Sequence, residues 1–144
     1  MLLLVDSAFT KEERNLVQGT AHDVEQKIHA VSTDARRKFS PVKAEFMSQI
    51  LGDMYYDWFG KLEFNEQAKK DGIVYYGTDV NSYCHQFNSF LSLDISTIEK
   101  KVNQIWQKAE LDKDEQKYRD QPAEIGTYVT PELYGERYCR PEDF

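Results

Sequence analysis

The chain has 144 residues, 40% of them hydrophobic and 13% aromatic, with two cysteines and a formal charge of −7. That size is one ordinary domain, able to bury a core without metal or a disulfide framework, and too apolar for an intrinsically disordered chain. The acidic balance disfavours nucleic acid and anionic membrane surfaces and allows a partner with a basic surface, with ordinary solubility as the plainer reading.

The opening Met1-Leu2-Leu3-Leu4-Val5 is stopped by Asp6 and Ser7. It lacks the basic flank and length of a signal segment, and no stretch approaches the roughly 20 apolar residues of a membrane span. The reading is of a soluble, cytoplasmic protein. A leader cleaved ahead of Met1 would leave no trace here.

A first helix is expected over 10–31. Thr10 with Glu13 forms a capping-box pattern, and Leu16, Val17, Ala21, Val24, Ile28 and Val31 recur at helical spacing. Gly19 interrupts it, and close approach of another helix would explain a glycine there. Residues 32–38 either fray this helix or extend it, with Arg36, Arg37 and Lys38 suited to a C-terminal turn. Ser40-Pro41 starts a second helix over 41–59, with Met47, Ile50, Leu51, Met54, Tyr55 and Trp58 inside. Gly60 is the expected terminator, and residues 62–70 form a further short helix.

Residues 71–78 break the helical pattern with a β-prone run. They either pair with Thr127-Tyr128-Val129 as a small two-stranded patch or form an extended loop packed by aromatics. A third helix is expected over 80–91. A fourth begins at Asp94 or Ser96 and continues past Leu111 towards Tyr118. Residues 119–144 hold Pro122, Gly126, Pro131, Gly135 and Pro141, which exclude a long helix. A turn at Thr130-Pro131-Glu132 and aromatic anchors are expected to lay this tail across the body. The fold class is all-α: one domain spanning 1–144, about four helices in a bundle, with 119–144 as a packed, irregular, aromatic-rich tail.

Three groupings can carry chemistry. His22, Glu25 and His29 share one helical face and are suitable ligand types for zinc, nickel or iron, with His85 or Glu45 as outside help. A half-exposed polar flank is the plainer reading. Cys84-His85 resembles a nucleophile and base in composition, yet adjacent helical residues point about 100° apart. Cys84 and Cys139 are either free or bridged. Around Tyr55, Tyr75, Tyr76 and Tyr83, the residues Asp53, Tyr56, Asp57 and Trp58 could line a ligand pocket, with Asp53 and Asp57 one turn apart, and a solvated helix face is the plainer reading.

Nucleotide-binding glycine loops and a nucleophile elbow are absent from the sequence, and no cofactor is expected. The favoured reading is a non-enzymatic protein-interaction module: an adaptor, inhibitor, immunity-type or assembly protein. Its contact residues are Tyr75, Tyr76, Tyr134, Arg137, Tyr138 and Arg140, types that dominate interface energetics. The competing readings are a metal-dependent or small-molecule enzyme built on His22, Glu25 and His29, and a self-associating structural protein.

Overall fold

A computed structural model describes residues 9–70, 80–128 and 139–144, and within them the backbone alone at 63–65, 68–70, 127 and 128. The fold is all-α. Its α-helices are α1 (Lys11–Lys38), α2 (Pro41–Lys70), α3 (Val80–His85), α4 (Asn88–Ser92) and α5 (Ile95–Lys108). Short 3-10 turns follow at Leu111–Lys113, Glu115–Tyr118, Pro122–Tyr128 and Pro141–Asp143. No strand occurs among the described residues. Residues 71–78 and Val129, needed for the expected β patch, lie outside them, whereas Thr127 and Tyr128 belong to a 3-10 turn. No helix among the described residues is long and apolar enough to cross a membrane.

The α1 N-terminus is capped as its sequence requires. Thr10 Oγ1 accepts from the Glu13 amide at 3.1 Å, and Glu13 Oε1 accepts from the Thr10 amide at 2.9 Å. The helix extends to Lys38 instead of fraying after Val31. Val31, Ser32 and Ala35 are buried, and the Asp34 carboxylate holds Arg37 at 3.1 Å and Lys38 at 2.8 Å. Those bases stabilise the negative end of the helix. Gly19 is not a close-approach point, because a Cβ there would meet nothing within 4 Å.

Helix α2 corrects the expected stop at Gly60. It runs unbroken to Lys70, joining the two expected helices into one. Trp58 and Leu62 continue the buried stripe across the glycine, and Lys61 pairs with Asp57 at 2.9 Å one turn back. One glycine costs a helix on the order of 1 kcal/mol, which that burial offsets. Helix α2 packs along α1 on one side and receives α5 and the Pro122–Tyr128 turn on others. Its Phe46 ring meets Trp106 of α5 edge-on at 5.4 Å.

The expected third helix is two pieces, α3 and α4, split at Gln86 and Phe87. The cause is local. The Tyr83 carbonyl takes the Trp58 indole N–H at 3.2 Å and the Gln86 amide at 3.2 Å, while the Phe87 amide turns to Cys84 at 3.2 Å. The tightened turn drives Phe87 into the core, edge-on to Trp58 at 5.0 Å and to Phe90 at 6.1 Å.

Helix α5 starts at the Asp94 cap, whose carboxylate accepts from the Thr97 amide at 2.9 Å. It ends at Lys108, short of Tyr118. Glu110 adopts a left-handed backbone with φ 57°, a turn more usual for glycine. Beyond it Leu111 is fully buried, and Asp112 accepts the Trp106 indole N–H at 2.6 Å. These two anchors hold the chain beyond the turn. Further on, Ser40, the α2 cap, donates to Glu115.

The described residues beyond Arg119 contact the helices at several points. Ile125 is fully buried, Gln49 of α2 donates to the Ala123 carbonyl at 3.1 Å, and the Phe144 ring stands on Phe90 at 5.1 Å. The Thr130-Pro131-Glu132 turn falls outside the described residues.

Candidate binding cleft

Residues 54–61 of α2, α3 with its following turn, and residues 139–142 enclose an open cleft of about 500 Å³. This volume is within the range of small-molecule and peptide side-chain pockets. Met54, Asp57, Trp58 and Lys61 form one wall, and Tyr83 and Gln86 face them. The third side runs from Cys139 to Glu142.

Helical spacing sets the first wall. Residues 54, 57, 58 and 61 recur at three and four positions, so they form one stripe. The buried part of that stripe meets α3 through a reciprocal contact. Trp58 Nε1 donates to the Tyr83 carbonyl at 3.2 Å, Tyr83 Oη donates to the Trp58 carbonyl at 2.9 Å, and the rings stack with centroids 5.2 Å apart. Both side-chain donors are thereby satisfied, which makes this wall rigid and leaves polarity to the rim.

The rim carries charge of both signs. Asp57 pairs with Lys61 in an exposed contact. Arg140 grips Asp143 through two nitrogens at 3.1 and 3.2 Å and reaches Glu142 at 3.6 Å. Burial pushes the Tyr83 phenol above the ordinary tyrosine range, and the negative charges of Asp57 and Glu142 push it further. Carboxylates thus act on Tyr83 from two sides, α2 and the tail, each beside a cation of its own element.

At the base, the Cys139 thiol lies 3.8 Å from Met54 Sδ. Burial, reinforced by Asp143 and Asp53, pushes this thiol far above its ordinary value. Burial raises Cys84 as well, partly opposed by a hydrogen bond with Thr20. Both cysteines are free and buried, so they are not bridged, and neither is in a setting that favours thiolate. His85, next to Cys84, points to solvent.

The structure therefore brings Asp57, Trp58 and Arg140 of the expected contact and pocket residues into one site. Asp53 and Tyr56 are exposed on α2 outside the lining, the Asp53 carboxyl raised by partial burial and Tyr56 71% exposed. Tyr75, Tyr76, Tyr134, Arg137 and Tyr138 lie outside the described residues. On α1, His22 and His29 are exposed, and Glu25 accepts the Tyr55 phenol at 2.8 Å. Among the described residues no three His, Cys, Asp or Glu side chains come together in a way that could hold a metal ion. Sequence reasoning missed Lys61, Gln86 and Glu142. The Asp57–Lys61 spacing was a visible clue, but the other two join the cleft only through tertiary packing.

No family model, curated protein or solved structure matches this chain.

Proposed function

We propose that the protein is a non-enzymatic interaction module that takes a basic side chain of a partner protein into the cleft between α2, α3 and residues 139–142. The observation that carries this reading is the pair of carboxylates on opposite sides of the cleft, Asp57 on α2 and Glu142 on the tail, above a wall made rigid by Trp58 and Tyr83. Each carboxylate is held by its own chain's cation only in an exposed contact, Lys61 at 2.9 Å and Arg140 at 3.6 Å. Such surface pairs are worth about 0–1 kcal/mol, so a partner's arginine or lysine exchanges for them at little cost. The net charge of −7 assists the approach of a basic surface.

Short fluorescent peptides of basic, neutral and acidic composition test this reading. Basic peptides bind the full chain saturably, binding weakens with added salt, and the double variant Asp57→Asn, Glu142→Gln loses it severalfold while melting at the wild-type temperature. Equal binding of all three peptide classes, or binding untouched in the double variant, overturns it.

A further inference from the structure

A second polar cluster joins α1 to α5, and none of its members lines the cleft. The Lys38 ammonium lies 2.8 Å from Asp34 Oδ2 and 3.1 Å from Glu99 Oε1. Glu99 is 3% exposed, and its other oxygen, Oε2, is buried with no hydrogen-bond partner among the described residues. One turn along α5, Asn103 Oδ1 is also buried and unpartnered. Residues four apart on a helix are neighbours, so two acceptors without donors face the same side.

This arrangement is poorly matched to an ionised Glu99. Two carboxylates would share the half-exposed Lys38 ammonium, since Arg37, the other cation at Asp34, projects further into solvent with 75% of its side chain exposed. A bare carboxylate oxygen out of water is strongly unfavourable. A proton on Glu99 resolves both problems: it removes the surplus charge and converts a bare acceptor into a donor for Asn103 or for Asp34, whose carboxyl is within hydrogen-bonding reach.

We propose that the Asp34–Lys38–Glu99 cluster is a proton-operated latch, closed in mildly acidic solution when Glu99 carries a proton and loosened as Glu99 ionises. The groups acting on Glu99 are Lys38 and Asp34, both from α1. Helix α2, which also packs on α5, contributes Lys43, whose ammonium lies over the rings of Phe39 and Trp106 at 5.4 and 5.5 Å. Burial pushes Glu99 upward and Asp34 adds to it, with Lys38 opposing. Asp34 moves the other way, held low by its hydrogen bond to Lys38. The Glu99 contribution to stability is full below the ordinary glutamate value and is lost as pH rises through its elevated one. The Asp34 contribution is present above the ordinary aspartate value and is lost as pH falls through its lowered one. Both coexist between the two, which is where the latch is closed.

Carbon-detected NMR titration of the Glu99 carboxyl in the full chain tests this directly. The expected midpoint lies above 4.5, the ordinary glutamate value, and Lys38→Met moves it higher still. Glu99→Gln, which keeps an acceptor for Lys38 and a permanent donor, melts above wild type at neutral pH and loses the wild-type decline between acidic and neutral solution. A midpoint at or below 4.5, or a Glu99→Gln melting profile with the wild-type pH dependence, overturns the latch. Should the Gln variant fail to fold, the wild-type titration decides alone.

Discussion

Trp58 and Tyr83 each donate a side-chain hydrogen bond to the other's backbone carbonyl, and their rings stack between the two bonds. This exchange ties α2 to α3 and forms the inner wall of the cleft. Tyr83→Phe removes one bond and should cost about 1 kcal/mol in denaturant unfolding, with the fold retained. An unchanged midpoint would mean that the phenol bond contributes nothing.

Tyr83 and Tyr55 both resist ionisation, chiefly because they are buried, with nearby carboxylates adding to the effect. A phenol whose folded value is raised lends stability that persists below the ordinary tyrosine range and disappears as pH climbs through the raised value. Phenolate absorbance of the native protein should therefore show Tyr55 and Tyr83 titrating late, together with alkaline unfolding. Tyr55→Phe and Tyr83→Phe should each remove one late step.

Gly19 and Gly60 sit inside α1 and α2, and a Cβ at either meets nothing within 4 Å. Gly19→Ala and Gly60→Ala should each raise stability by about 0.5–1 kcal/mol, read from thermal melts. A loss at either position would reveal a neighbour that the fold leaves no room for.

The split between α3 and α4 brings Phe87 to full burial against Trp58 and Phe90. Phe87→Ala should cost about 3–5 kcal/mol, one of the larger single-site losses in the chain. A cost near that of a surface substitution would argue against the described core.

Cys84 and Cys139 are buried, free and held in the thiol form by burial. Thiol-labelling followed by mass measurement should find both unreacted in the native chain and both labelled after denaturation without reductant. A chain that needs reductant before labelling would contain the bridge that the structure lacks.

Helices were legible wherever caps and apolar periods agreed, as at Thr10, Ser40-Pro41 and Asp94. Punctuation residues were the weak point. Gly60 stops nothing, because Trp58 and Leu62 bury on both sides of it, whereas Glu110 takes the left-handed turn after α5 without being glycine, because Leu111 and Asp112 are anchored beyond it. Tertiary context overrides local preference in both cases. The same limit governs the cleft. Asp57 and Trp58 share a readable helical stripe, but Glu142 reaches that stripe only once the tail is in place. Lys38 and Glu99 stand 61 positions apart, and nothing local to either indicates that they meet.

The chain's two indoles sit at different junctions: Trp58 in the α2–α3 seam, Trp106 at the turn that closes α5 over Asp112. Each emits from a hydrogen-bonded setting that exists only while its own junction is closed. The molecule thus carries two built-in optical gauges. Replacing either tryptophan with phenylalanine leaves the other to report, separately, when one seam parts before its neighbour.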